Sequence, residues 1–269
     1  MLFNLAEDNP YPPALRKRRK RAVTVTALQP SGLSRLAGDW ERIGGSSTIL
    51  GGVMLDRRSF LRASGFAAMA ACPICRAASA ADGPHWAYDE AAKWGELAPE
   101  FTTCGIGAEQ SPVDLADPVP SALHDVTLAW QPAGGAVVNN GHTIQVNTAP
   151  GNSAEIGGIR YELAQFHFHH PSEHAVAGER FAMEVHFVHR AATGGLAVIG
   201  VLLAPGAENA ALAAVEAKML AKEGEAALDA PLDLAPFLPK SRAYYRYAGS
   251  LTTPPCSETV LWTVFAEPV

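Results

Sequence analysis

Two segments in the middle of the chain alternate between polar residues, mostly histidine, and apolar residues. Residues 165–170 read Gln-Phe-His-Phe-His-His, and residues 183–189 read Met-Glu-Val-His-Phe-Val-His. Successive side chains of an extended strand point to opposite faces, so each segment would present imidazole on one face and apolar side chains on the other. The alternation therefore predicts two β-strands. If they pair as antiparallel neighbours, His167, His169 and His186 come together.

Three converging neutral imidazoles indicate a catalytic zinc, whose fourth position stays open for water. A structural zinc site normally has four protein ligands, usually with Cys among them, and neither segment contains Cys. Gln165 and Glu184 each lie two positions before a candidate ligand and so on its face. A metal-bound histidine usually needs such a partner for its second ring nitrogen. The alternative is that these are ordinary core or surface histidines.

The spacing His167-x-His169-x3-Glu173 leaves a second metal interpretation open. It fits the first metal motif of the cupins, which bind iron or manganese, and Glu173 would then be a ligand. A cupin also needs a later Pro-x-Gly-x2-His-x3-Asn motif. Because the chain has no histidine after His189, the cupin interpretation is remote.

The first 80 residues differ in composition from the rest. They hold twelve Lys and Arg against five Asp and Glu, with an unbroken basic run at residues 16–21. Residues 56–61, Asp-Arg-Arg-Ser-Phe-Leu, match a twin-arginine export signature, and Ala-Ser-Ala at 78–80 matches a cleavage signal. We predict a disordered upstream extension over 1–53, with Met54 as the true start, and a signal peptide over 54–80. Met-Ala-Ala-Cys72 leaves a lipoprotein-type cleavage site as an alternative.

The remaining segment, 81–269, is acidic, with nine Lys and Arg against 22 Asp and Glu. This balance argues against nucleic acid as a partner, and the apolar part of the signal is too short for a membrane span. We expect a soluble domain that is periplasmic or secreted after twin-arginine export, with a homodimer left open. Cys104 and Cys256 remain after signal removal, and one pair in an exported chain predicts a disulfide, with two free thiols as the alternative.

Short strand patterns recur through this domain. Asn140-Gly141 predicts a turn or bulge between two of them. Residues 209–222 predict a helix, because Leu212, Val215 and Met219 repeat at helical spacing. The fold is therefore mainly antiparallel β with few helices, compatible with a barrel or with a large sheet.

A series of motifs running from His85 to Val269 resembles the α-class carbonic anhydrases. In order, they are His-Trp-Ala-Tyr, Gln-Ser-Pro-Val-Asp, Asn-Asn-Gly-His, Gln-Phe-His-Phe-His, Ser-Glu-His, Met-Glu-Val-His-Phe-Val-His, Gly-Leu-Ala-Val-Ile-Gly and Gly-Ser-Leu-Thr-Thr-Pro-Pro-Cys-Ser-Glu. The resemblance implies a large central, mostly antiparallel sheet with a few peripheral helices, lacking the family's usual C-terminal strands. It implies zinc-dependent, reversible hydration of carbon dioxide to bicarbonate and a proton. A non-catalytic domain of the same type, or an inactive truncated product, is the alternative.

The resemblance also implies a role for each matching side chain. His167, His169 and His186 would hold Zn²⁺, with Gln165 and Glu184 orienting them. The catalytic residues would be Thr252 and Glu173, which orient the attacking hydroxide, and His142, which carries the proton away. The substrate cavity would be lined by Thr253, Val188, Val198, Leu251, Val260 and Trp262. Cys104 and Cys256 match the disulfide of exported members, while His174 and His189 match structural positions.

Overall fold

The computed structural model describes residues 25–26, 84–123 and 125–269. The predicted signal peptide over 54–80 lies outside the described residues. So does the predicted extension over 1–53, except for residues 25 and 26. The acidic domain predicted from residue 81 is described from residue 84 onward.

The domain is built on an 11-stranded sheet in which β-strand pairs are mostly antiparallel, as predicted. Its strands in chain order are β1 (Val25–Thr26), β2 (Val126–Ala129), β3 (Gly135–Asn139), β4 (Ile144–Thr148), β5 (Ser153–Ile156), β6 (Ile159–His169), β9 (Met183–Ala191), β10 (Leu196–Leu203), β11 (Gly224–Ala227), β12 (Tyr244–Gly249) and β13 (Val260–Phe265). A separate ribbon pairs β7 (Ala175–Val176) with β8 (Glu179–Arg180). The helices are α1 (Trp94–Leu97), α2 (Thr102–Ile106) and α3 (Ala210–Glu216), with 3-10 turns at Tyr88–Lys93, Pro99–Phe101 and Ala235–Phe237.

Strand β10 lies in the middle of the sheet between β9 and β13. Its sequence, Leu-Ala-Val-Ile-Gly-Val-Leu-Leu, is apolar throughout, and all eight residues are buried. A strand with no polar face must be covered on both sides. β10 is antiparallel to β9 but parallel to β13, which is the exception to the antiparallel pattern described here.

Two apolar clusters cover the opposite faces of the sheet. Alternate residues of β10 divide between them, so Ile199 belongs to the larger cluster and Val198 to the smaller. In the same way, Phe166 and Phe187 pack into the larger cluster. By alternation, His167, His169 and His186 face the side of the smaller cluster, whereas His189 lies on the same face as Phe187.

The turn predicted at Asn140-Gly141 is present and joins β3 to β4. The Asn140 side-chain oxygen accepts from the amides of His142 and Thr143 at 3.0 and 2.9 Å. Gly141 takes a φ of 84°, a conformation that glycine adopts at little cost. The conformation of this turn therefore sets the position of the His142 backbone, from which the imidazole extends.

The predicted helix over 209–222 is too long. Helix α3 begins after Asn209, whose side chain accepts from the amides of residues 211 and 212, as an N-cap should. It ends at Glu216, and bonds of shorter spacing follow, from Lys218 and Met219. The carbonyl of Leu220 instead accepts from the side chain of Asn139. Sheet pairing of β11 with β3 therefore overrides the local helix preference.

Cys104 on α2 is bonded to Cys256, with 5.0 Å between the Cα atoms. The predicted disulfide is present, and the free-thiol alternative is wrong. The bond joins the N-terminal helical region to the loop that follows β12. That loop also carries Thr252 and Thr253.

Candidate metal centre and active site

Strands β6 and β9 pair antiparallel, with His167 directly opposite His186. His169 lies two residues further along β6 and therefore on the same face. One ligand atom from each of the three histidines lies within 4.8 Å of the others. Their ring centroids are separated by 5.0, 5.3 and 4.5 Å. The structure thus brings together the three residues predicted to bind zinc.

Two of the three rings are oriented by the partners predicted for them. Gln165 Oε1 lies 2.9 Å from His167 Nδ1, and Glu184 Oε1 lies 2.9 Å from His186 Nε2. These contacts leave Nε2 of His167 and Nδ1 of His186 for a metal. A Cβ at Gly200 on β10 would come within 2.9 Å of Glu184 Oε1. A glycine there makes room for the carboxylate.

The third ring offers Nε2 to the same centre. Nε2 of His169 is buried and has no hydrogen-bond partner among the described residues. A buried nitrogen without a partner carries a free-energy cost, which a metal would remove. Three imidazole nitrogens suit Zn²⁺, so the residues present fit this ion.

Burial controls the protonation of the centre. It lowers the pKa of His167 and His169 well below the usual histidine value, with a further contribution from the neighbouring imidazoles. Both rings are therefore neutral and able to act as ligands near neutral pH. Burial alone would raise the pKa of Glu184, but His174 and His186 hold it well below its usual range. Glu184 is thus an ionised carboxylate beside Nε2 of His186, the ring nitrogen that is not available to a metal.

Glu173 lies beside the triad rather than in it. Its Oε2 is 3.4 Å from His169 Nε2 and 3.8 Å from His186 Nδ1. Burial, and then the charge on Glu173, raise the pKa of Tyr88, so the Tyr88 phenol stays protonated. Thr252 is 9% exposed in the loop after β12. Tyr88 was not predicted as a site residue, although it belongs to the His-Trp-Ala-Tyr motif.

The five apolar residues predicted to line the substrate cavity belong to one cluster. Buried members of this cluster include Val198, Val260 and Trp262, and Val188 and Leu251 pack against it. The ring of Trp262 lies 4.8 Å from that of His186, so the cluster borders the triad. Thr253 is partly buried, and its carbonyl accepts from the amide of Cys256 at 2.9 Å.

His142 lines a cavity of about 340 Å³, as does His169. Its ring stacks on Trp86, with centroids 3.9 Å apart and planes at 9°. Burial, and then the nearby His85, lower the pKa of His142. Trp86 was not predicted as a site residue. Only its place in the aromatic His-Trp-Ala-Tyr motif could have indicated it.

The two histidines predicted to be structural are buried away from the metal position. His174 Nδ1 lies 2.7 Å from Glu184 Oε1, and its Nε2 lies 2.5 Å from the Tyr247 hydroxyl. Both of its ring nitrogens are therefore occupied. His189 stacks on Trp130 at 5.9 Å. The role of Tyr247 was not predicted, because it lies 73 residues from His174 along the chain.

The structure has a buried cluster of three histidines with polar partners on one face of a large, mostly antiparallel sheet. Such a cluster has the ligand set of a mononuclear zinc site with an open coordination position. The family described as eukaryotic-type carbonic anhydrase matches residues 89–269, and the chain belongs to that family. This membership replaces the cupin interpretation. It also confirms the expected fold class.

Relatives and solved structures agree with this assignment. A carbonic anhydrase of Pectobacterium carotovorum is 42% identical over 201 residues, covering 73% of this chain and 82% of the relative. A carbonic anhydrase of Nostoc sp. is 44% identical over 183 residues, covering 65% and 69%. The solved complex of the α-carbonic anhydrase from Thermovibrio ammonificans with the inhibitor sulfanilamide matches with a TM-score of 0.68 and 45% identity, covering 70% and 86%.

Proposed function

We propose that this protein catalyses the reversible hydration of carbon dioxide to bicarbonate and a proton. The observation that carries the proposal is the triad of His167, His169 and His186, with ligand atoms within 4.8 Å of one another. The activity is the one for which the family and its relatives are named. The non-catalytic alternative predicts zinc binding without hydration.

In this mechanism the three histidines would hold Zn²⁺ through Nε2 of His167, Nε2 of His169 and Nδ1 of His186. Zinc, when bound, acidifies a water molecule so that hydroxide is available near neutral pH, an effect of which carbonic anhydrase is itself the standard example. Gln165 and Glu184 keep two imidazoles in the required tautomer. The negative charge of Glu184 also makes His186 a more basic ligand.

Thr252 and Glu173 orient the nucleophile. Buried Glu173 keeps a carboxylate beside the centre, and a carboxylate can only accept hydrogen bonds. In the proposed relay, Thr252 donates its hydroxyl proton to Glu173, which leaves the threonine oxygen free to accept from the attacking hydroxide.

The substrate side of the site is apolar. Carbon dioxide offers no strong hydrogen bond, so it is held by the wall of Val188, Val198, Leu251, Val260 and Trp262, which borders the triad. Thr253 is assigned to seat bicarbonate, because its hydroxyl can both donate and accept hydrogen bonds.

Proton removal is assigned to His142. Histidine is the side chain whose ordinary pKa lies in the physiological range, so it can accept and release a proton at working pH. The stacking of His142 on Trp86 holds its ring in a defined position.

We also propose twin-arginine export to the periplasm or the cell exterior. The Arg57-Arg58 signature and the Cys104–Cys256 bond support it, because disulfides persist in oxidising compartments. Within the described residues, no helix is long and apolar enough to cross a membrane. A mature N-terminus near Ala81, read by mass spectrometry from the native host, is the expected result. Light scattering of the same material tests whether the protein is a homodimer, which the sequence leaves open.

The experiment that tests the function compares His186→Ala with His85→Ala, a substitution of an exposed histidine outside the triad. The parent and the control should bind about one zinc per chain and hydrate carbon dioxide. His186→Ala should lose the activity and most of the zinc. Full activity in His186→Ala, or zinc without hydration in the parent, would overturn the proposal.

A further inference from the structure

The β3–β4 turn that carries His142 is packed against a second segment of the chain, the residues just before β11. Gly224, the first residue of β11, pairs with Asn139, the last residue of β3. Glu223 therefore lies beyond the end of β3, beside the turn. A Cβ at Gly141 would come within 2.8 Å of Glu223 Oε1, so the carboxylate lies against the residue that precedes His142.

The side chain of Asn139 holds these two segments together. Its Nδ2 donates to the carbonyl of Leu220 at 2.9 Å, and its Oδ1 accepts from the amide of Gly141 at 3.0 Å. Because Asn139 bonds to both segments, the backbone that carries Glu223 is held against the turn. A carboxylate is thus kept beside the residue that is proposed to carry the proton.

Two neighbours of the His142 ring favour its protonated form. The ring stacks on Trp86 with centroids 3.9 Å apart, and the face of an indole attracts a cation in this position. Burial, and then the nearby His85, lower the pKa of His142, whereas the negative charge of Glu223 raises it. Three further titratable side chains among the described residues line the same cavity as His142, namely His169, His170 and Glu216.

The protonated form is important because His142 must hold a proton for part of each cycle. In the proposed reaction, every hydration step leaves one proton at the centre. His142 accepts this proton and becomes an imidazolium, and it then releases the proton to a base in the surrounding buffer, which restores the neutral ring. Burial opposes the first of these two steps, because it disfavours the charged form, and a nearby carboxylate offsets that penalty.

We propose that Glu223 is a positioning residue for proton removal: its carboxylate, packed on the β3–β4 turn, stabilises the imidazolium form of His142 over the ring of Trp86. This proposal rests on the shuttle role proposed for His142, and Glu223 acts through that ring rather than on carbon dioxide. The effect is modest in size, because Glu223 is exposed and an exposed ion pair changes an equilibrium constant by up to about fivefold.

The first experiment measures protonation of His142 by NMR in the purified protein, so that it does not depend on the enzymatic activity. His142→Ala identifies the signal. Glu223→Gln should raise the acid dissociation constant of the His142 imidazolium about two- to fivefold, and Glu223→Asp, which keeps the charge, should raise it less.

The matched control is Glu225→Gln, which removes the same charge from another exposed position, two residues further along the chain in β11. It should leave the dissociation constant at the parent value. Equal constants in Glu223→Gln and Glu225→Gln would overturn the proposal, because the position of Glu223 would then have no special effect.

Ionic strength tests whether the cause is electrostatic. Salt screens exposed charges, so the difference between the parent and Glu223→Gln should shrink at about 1 M sodium chloride. A difference that stays the same in high salt would show that the substitution rearranges the turn, and it would also overturn the proposal.

Kinetics test the consequence for the reaction. At low buffer concentration, Glu223→Gln should lower kcat for hydration by up to about fivefold, because proton transfer to a weaker base is slower. The ratio kcat/KM should stay unchanged, because proton removal follows the hydration step. Glu225→Gln should match the parent in both quantities.

The two measurements separate this proposal from the proposed function. If the protein does not hydrate carbon dioxide at all, the proposed function fails, but the NMR comparison still tests whether Glu223 stabilises the His142 imidazolium. A parent-like kcat at low buffer concentration, in a Glu223→Gln protein that shows the expected NMR change, would refute the role of Glu223 in proton removal.

Discussion

Replacing Glu184 with glutamine should weaken both the fold and the metal centre while leaving the packing intact. The carboxylate is completely buried and faces three donors. The backbone amide of His174 lies 2.9 Å from Oε2, and His174 Nδ1 and His186 Nε2 lie 2.7 and 2.9 Å from Oε1. Glutamine has nearly the same shape but replaces one oxygen by an NH₂ group. At least one of the three donors would then face another donor.

The magnitude follows from these contacts. A buried donor left without an acceptor costs about 1–3 kcal/mol, so the free energy of unfolding of the zinc-free protein should fall by that amount. Loss of the partner that orients His186 should weaken zinc binding about 10–100-fold, which corresponds to about 1.4–2.7 kcal/mol. The two effects are separable, because the first is measured without metal.

Urea unfolding of the zinc-free protein and chelator competition for zinc are the two assays. Glu162→Gln is the matched control, because Glu162 lies on the same sheet but is half-exposed, with 52% of its side chain accessible, and pairs with Arg160 at the surface. It should change neither quantity by more than about 0.5 kcal/mol. If Glu184→Gln behaves like this control in both assays, Glu184 does not hold the centre as described.

Three further predictions concern other parts of the domain. His142→Ala should slow turnover at low buffer concentration, leave carbon dioxide–bicarbonate exchange at equilibrium nearly unchanged, and be rescued by imidazole; loss of both rates together would contradict the shuttle role. Opening the Cys104–Cys256 bond, which spans 152 positions, should lower stability by up to about 5 kcal/mol in the chain-entropy model, and equal urea midpoints with and without reductant would contradict this. Burial lowers the pKa of His189 to about 4 in the folded protein, whereas its ordinary value is near ~6.5. As the pH falls below that ordinary value, His189 is therefore protonated in the unfolded chain before it is protonated in the folded protein. Stability is then lost between these two values, and His189→Gln should remove up to about 3 kcal/mol of that loss; parallel stability–pH curves would count against it.

Local patterns in the sequence were sufficient for much of the centre. The two-residue period of a strand places His167 and His169 on one face and Gln165 beside them, whatever the rest of the chain does. The same period places Glu184 on the face of His186. The number of cysteines left after residue 80 allows one pair, and the structure contains that bond. Each of these conclusions depends on covalent geometry or on simple counting.

Conclusions that depend on long-range contacts required the tertiary structure. The pairing of His167 with His186 depends on the register of β6 and β9, which shifts once, between Leu163 and Gln165. Helix α3 ends six residues before the predicted end because β11 pairs with β3, an interaction that no local propensity reports.

The same reason explains why Trp86 and Tyr247 could not be predicted as site residues. Trp86 reaches His142, and Tyr247 reaches His174, only after the chain has folded. Which nitrogen of each histidine points to the centre of the triad was also undetermined by the sequence, because it depends on the hydrogen bond at the opposite nitrogen. The sequence by itself determined which side chains share a face. The tertiary structure decided which faces meet, because that choice minimises the free energy of the whole sheet and its two apolar clusters rather than of any single segment.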